Sequence, residues 1–215
     1  MRVAIPLYPG FTALDAVGPY NVLAFAPGVT VTFVAGEPGP VEDDRRMLSL
    51  AATASFDEQP EYDVIVVPGG PGTLPAMSDR RLLDWIVRAD ARTRWTTSVC
   101  SGSFLLGAAG LLRGRRATTH WGFVDQLAGL GAEPVNGRVV ADGKFVTAAG
   151  VSAGIDMALS LLAEMSDEET AKTAQLTIEY DPAPPFDAGD ARTATPERKE
   201  RALNLIFQAS QGGPA

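Results

Sequence analysis

The chain has 215 residues, 46% of them hydrophobic and 20% charged, enough to bury a core of its own as one domain spanning 1–215. Its formal charge of -8, from 18 Lys and Arg against 26 Asp and Glu, with the basic residues scattered, argues against nucleic acid and against an anionic membrane as partners, since both require clustered positive charge. The opening MRVAIPLYPG is broken by Pro6 and Pro9 before a signal-peptide core can form, no apolar segment is long enough to span a bilayer, and a single cysteine cannot close an internal disulfide, so a reducing cytoplasm is the expected compartment.

Val3 to Leu7 reads as a short buried strand, broken at Tyr8-Pro9-Gly10-Phe11 before a helical pattern through Val17, Tyr20 and Leu23. Val29 to Ala35 alternates and is β-branched, which predicts a second strand. Glu37 to Phe56 is turn-rich and holds only short extended pieces. Tyr62 to Val67 is a continuous apolar run, as in a strand buried on both faces, stopped by Pro68-Gly69-Gly70-Pro71-Gly72. Asp79 caps a helix whose Leu82, Leu83 and Ile86 share a face. Trp95 to Val99 is the next strand, followed by a small-residue helix from Ser101 to Leu112 that Gly114 closes.

Ala117 to Trp121 is short and extended, and Phe123 to Leu130 is helical up to Gly131. Arg138 to Asp142 and Lys144 to Ala148 flank Asp142-Gly143, a strong hairpin signal. Val151 to Met165 and Asp167 to Tyr180 predict two helices. Asp181 to Ala194 is irregular and rich in proline and glycine, Pro196 opens a last helix to about Ala209, and the tail 211–215 is expected to be mobile. Strands alternating with helices predict an α/β fold, a doubly wound and mostly parallel sheet with helices on both faces. In such sheets the active site lies at the carboxyl ends of the strands.

Three stretches at those ends carry chemistry. Cys100 stands between the strand Thr96-Thr97-Ser98-Val99 and a helix opening Ser101-Gly102-Ser103, the arrangement of a nucleophile elbow. N–H groups of a helix's first turn stabilise a thiolate, so a lowered thiol pKa is expected; the alternative is a buried apolar cysteine. Gly69 and Gly70 expose backbone N–H donors to a ligand, as an anion hole does, or they simply terminate a strand. Asp15 reads by position as a helix N-cap. Beside a thiolate, one member of that pair would instead keep a proton and act as a donor. His120, the sole histidine, is either the base of a Cys-His dyad or a structural residue.

The glycine loop, Val99-Cys100-Ser101-Gly102-Ser103-Phe104-Leu105-Leu106 and Ala117-Thr118-Thr119-His120-Trp121 together resemble the ThiJ/PfpI superfamily, over nearly the whole chain. That resemblance implies a flavodoxin-like fold with the cysteine at the elbow. Asp15 followed by Gly18-Pro19, the stretch Gly150 to Asp156, Glu179-Tyr180-Asp181-Pro182, and Pro184 to Gly189 are similar to the isonitrile hydratase branch. The branch implies hydration of a small-molecule isonitrile to an N-substituted formamide, by a homodimer using neither metal nor organic cofactor. Its catalytic pair maps onto Cys100 and Asp15, with Ser101 standing where the branch commonly has threonine, and with Gly69, Gly70 and His120 around the substrate. Peptidases of the superfamily place histidine directly after the cysteine, where this chain has Ser101. The competing readings are a cysteine-based redox or ligand sensor without turnover, and a Cys100-His120 hydrolase.

Overall fold

The computed structural model describes residues 1–58 and 61–210, so the tail expected to be mobile lies outside the described residues. In chain order the elements are β1 (Arg2–Pro6), α1 (Ala13–Leu23), β2 (Thr30–Ala35), β3 (Gly39–Glu42), β4 (Ser49–Ala52), β5 (Ala54–Ser55) and β6 (Val64–Val67). There follow α2 (Thr73–Ala76), α3 (Arg80–Asp90), β7 (Trp95–Val99), α4 (Gly102–Ala108), β8 (Arg116–Ala117), a run of 3-10 turns (Trp121–Leu130) and β9 (Glu133–Pro134). The last are β10 (Val139–Asp142), β11 (Phe145–Ala148), α5 (Ala153–Met165), α6 (Glu168–Thr177) and α7 (Pro196–Ser210). No helix of the described residues is long and apolar enough to cross a membrane.

Seven strands form the main sheet in the order β10-β11-β7-β6-β1-β2-β5, parallel throughout except where β10 runs against β11. The expected α/β fold is thus present, with the apolar runs Val3 to Ile5 and Val64 to Val67 fully buried at its centre. From β1 the chain crosses to β2 on one side and later to β6 on the other. Right-handed crossovers in opposite directions send α1 and α3 to opposite faces of the sheet, and α1 packs with α5 whereas α3 packs with α4. The reversal between β1 and β6 is the topological switch point, where a crevice opens beyond the strand ends.

The turn-rich stretch 37–56 resolves into the antiparallel hairpin β3–β4 and the edge strand β5. Three expectations change. The helix after Cys100 ends at Ala108 and not at Leu112, because Gly110 turns left-handed (φ +78) and the Leu111 N–H closes back on the Leu106 carbonyl. Residues 121–130 form 3-10 turns instead of an α-helix, ending at Gly131 with φ +83. The extended piece from Ala117 pairs only through β8, and Thr118 is held instead by its N–H on Thr147 Oγ1 (2.9 Å).

Candidate active site

Strand order assembles the site. β1, β6 and β7 lie side by side, so the segments that follow them bring Asp15, Gly69 and Cys100 to one edge. Cys100 leaves β7 with φ +55, a left-handed conformation that a side chain adopts only when its surroundings impose it. Here its N–H donates to the carbonyls of Ala148 (3.1 Å) and Ala149 (2.9 Å), and its own carbonyl accepts from Thr119 Oγ1 (2.8 Å) and Ser103 Oγ (3.2 Å). The turn into α4 needs glycine, since a Cβ on Gly102 would stand 2.1 Å from the Val67 carbonyl oxygen.

Asp15 is not an N-cap. Thr12 occupies that position, and Asp15 lies one turn in, wholly buried. Its Oδ2 accepts from the Gly69 N–H at 2.9 Å, while Oδ1 has no hydrogen-bond partner within the described structure. The carboxyl lies against the Cys100 thiol and interacts with it directly. Burial pushes the Asp15 carboxyl up to about 7; nearby Asp44 adds to this and the Gly69 N–H opposes it. Burial and then the Asp15 charge also push the Cys100 thiol above its ordinary range. The N–H groups of Ser101 and Val151 and the Ser101 hydroxyl act on the sulfur in the other direction without prevailing. Against the lowering expected from the helix start, desolvation in this crevice therefore acts in the opposite direction on the thiol.

The two glycines serve the site from within the fold. The Gly69 N–H is engaged by Asp15, and the Gly70 N–H by Ser101 Oγ at 3.0 Å, so neither stands as a free anion-hole donor. Gly69 also permits close approach, since a Cβ there would lie 2.5 Å from the Ser101 nitrogen. Ser101 Oγ is 2.9 Å from Thr73 Oγ1, which in turn is 3.0 Å from the Tyr8 hydroxyl. The Tyr8 hydroxyl donates to the Pro68 carbonyl at 2.7 Å.

His120 is half-buried, with its Nδ1 accepting from the Gly122 N–H at 3.2 Å and its ring against Trp121 and Phe123. Burial lowers its pKa, which keeps the imidazole neutral with the proton on Nε2. No hydrogen bond joins it to Cys100 among the described residues. Thr119 and Val151 reach the cysteine, and Thr73 with Tyr8 behind it reaches Ser101, from parts of the chain that only the fold brings together, so none of the four is legible as a site residue in the sequence. Val151 alone carries a local mark in the structure, φ +30. Among the described residues no three His, Cys, Asp or Glu side chains group as a metal site.

A family model described as DJ-1/PfpI matches residues 1–164. The chain is 48% identical over 194 residues to an isonitrile hydratase of Pseudomonas putida, covering 90% of this chain and 85% of that one. Its fold matches the crystal structure of a ThiJ/PfpI family protein from Pseudomonas syringae with a TM-score of 0.91 and 43% identity, covering 98% of this chain and 88% of that chain. It also matches oxidized Toxoplasma gondii DJ-1 with a TM-score of 0.74 and 26% identity, over 84% of this chain and 99% of that chain. With a strand-to-helix cysteine, a buried acid at the switch point and these likenesses along its length, the chain belongs to the DJ-1/PfpI family.

Proposed function

We propose that the chain is a hydro-lyase that adds water to an isonitrile and releases an N-substituted formamide. The observation that carries this reading is the buried contact between the Cys100 thiol and the Asp15 carboxyl, both biased toward their protonated forms. An isonitrile carbon bears a lone pair and formal negative charge, so it accepts a nucleophile only when a proton reaches the same carbon. A thiol beside a carboxyl supplies both. The likeness to the Pseudomonas putida isonitrile hydratase supports the substrate class.

In the proposed course the sulfur bonds to the isonitrile carbon while a proton held by the pair passes to that carbon, giving a thioimidate. Water then adds across the carbon–nitrogen double bond, its oxygen to carbon and a proton to nitrogen, with Asp15 moving the proton. Collapse breaks the carbon–sulfur bond, returns a proton to Cys100 and leaves the formamide, for a net addition of one water. Ser101 holds the sulfur through its N–H and hydroxyl; Gly69 and Gly70 act by holding Asp15 and Ser101. The sensor reading is separated from this one by turnover, since a sensor loses its thiol stoichiometrically to dilute peroxide whereas an enzyme converts substrate many times. The enzyme is read as a cytoplasmic homodimer working without metal or organic cofactor, and the exposed Met47 and Leu48 between β3 and β4 offer apolar surface for a second copy.

The test is turnover of a simple aliphatic isonitrile with detection of formamide. Cys100→Ala is expected to fold and to lose turnover by at least about a thousandfold, whereas His120→Ala stays within about tenfold of the parent. Near-parental turnover in Cys100→Ala overturns the reading. Complete loss in a folded His120→Ala restores the Cys100-His120 hydrolase.

A further inference from the structure

Behind Cys100 lies a second arrangement, built from segments that the proposed reaction leaves unused. The Cys100 N–H donates to the Ala149 carbonyl at 2.9 Å, and the Ala149 N–H donates in turn to the Arg138 carbonyl at 2.9 Å, so Ala149 links the cysteine turn to the residue just ahead of β10. The Arg138 guanidinium reaches the start of α5, where it pairs with Asp156 and lies 3.4 Å from Ser152 Oγ. The other carboxylate oxygen of Asp156, Oδ1, accepts from the Tyr180 hydroxyl at 3.0 Å. The stretches Gly150 to Asp156 and Glu179 to Pro182 therefore meet on one carboxylate. Both ends of this link are held out of ordinary backbone geometry: Val151 has φ +30 and Glu179 φ +51, left-handed values that such residues keep only where their surroundings impose them. Beside Glu179 the imposing contacts come from Gln175, whose carbonyl accepts the Tyr180 N–H and whose Nε2 donates to the Tyr180 carbonyl, both at 3.0 Å. Val151 lies between the main-chain grip of Arg138 on Ala149 and its side-chain grip on Ser152 and Asp156. A half-exposed ion pair adds little to stability, so what this arrangement offers is the geometry of the turn.

We propose that Arg138, Asp156 and Tyr180 are positioning residues that hold the turn 149–152 against Cys100 and thereby set the reactivity of its sulfur. The Val151 N–H, carried by that turn, acts on the sulfur in favour of the thiolate, so a slackened turn costs the sulfur a donor. The other groups that bear on the thiol, Asp15, Tyr8 and Ser101, come from other segments and keep their places when the three positioning residues are changed. The inference goes beyond the hydratase reading, since any chemistry at Cys100 depends on the same turn.

The experiment follows alkylation of Cys100 by iodoacetamide as a function of pH; Cys100 is the only cysteine, so intact mass reports it alone. Tyr180→Phe removes one hydroxyl and no charge, the phenol being neutral with its pKa raised by burial, so a shift in this variant is one of position. The apparent thiol pKa is expected to rise by about half a unit, making alkylation about threefold slower on the acid side of the titration. The melting temperature is expected to stay with the parent's, as for the loss of one partly exposed contact. Asp156→Ala frees Arg138 and Tyr180 together and is expected to slow alkylation at least as much, and adding Tyr180→Phe to it is expected to change nothing further. Alkylation unchanged in folded Tyr180→Phe, or made faster as in a site that has merely opened, overturns the inference. So does a double variant in which the two effects add, or a fall in melting temperature with no change in alkylation. Should Asp156→Ala fail to fold, Tyr180→Phe decides. Alkylation uses no isonitrile, so a parent protein without hydratase turnover would refute the proposed function and leave this inference to its own result.

Discussion

Asp15 holds a carboxyl with no exposure, one N–H donor at Oδ2 and none at Oδ1. Its folded pKa of about 7 exceeds the ordinary 3.8, so the folded protein binds this proton more tightly than the unfolded chain does. The sign follows: stability from this residue is complete below about pH 4, is lost as pH rises toward 7, and stays lost above it. At about 1.4 kcal/mol per unit, the cost above pH 7 is on the order of a few kcal/mol. Asp15→Asn, which keeps an oxygen for the Gly69 N–H, is therefore expected to match the parent in urea unfolding at pH 4 and exceed it at pH 8, while losing most turnover. Equal stability of the two proteins at both pH values would contradict the burial cost. Cys100 was legible from its small-residue turn, but Asp15 was not separable from a helix cap by position alone. Its buried carboxyl is held by the N–H of Gly69, 54 positions away, and no local pattern records that.

The stretch from Pro68 to Gly72 acts as a spacer as well as a strand end. A methyl on Gly69 would meet the Ser101 nitrogen at 2.5 Å and the Gly102 nitrogen at 2.8 Å, both backbone atoms that cannot step aside. Gly69→Ala is expected to destabilise by about 1–3 kcal/mol and to lose turnover by displacing both Asp15 and Ser101. Gly129→Ala, with nothing within 4 Å of the added methyl, serves as the control and is expected to unfold with the parent. A Gly69→Ala melting temperature equal to that of Gly129→Ala would refute the spacing argument. Strands declared themselves well at this scale, because runs such as Val64 to Val67 are apolar throughout. Helices ending at glycine declared themselves less well: Gly110 and Gly131 both turn left-handed, yet one stops an α-helix and the other a run of 3-10 turns.

For the molecule as a whole, alternation of strands and helices predicted the layered architecture, while strand order was beyond local sequence. Only the three-dimensional pairing shows that β6 separates β1 from β7, and so that the loop holding Gly69 lies beside both the acid and the cysteine turn. The homodimer is tested at this scale. Sedimentation equilibrium is expected to give twice the monomer mass at micromolar concentration, and Met47→Glu with Leu48→Glu to shift the population toward monomer. A parent protein that sediments only as monomer would remove the dimer from the proposed function.

The clamping of Cys100 by Ala148, Ala149 and Thr119, together with the reach of Val151 to its sulfur, has a kinetic meaning. These contacts come from the third quarter of the chain, whereas Asp15 comes from its first tenth. Parallel pairing over such separations is the slow part of assembling a sheet. The thiol acquires its native surroundings only after β1, β6, β7 and β11 have all docked. Its reactivity toward a thiol reagent during refolding is therefore expected to reach the native value only once the sheet is complete.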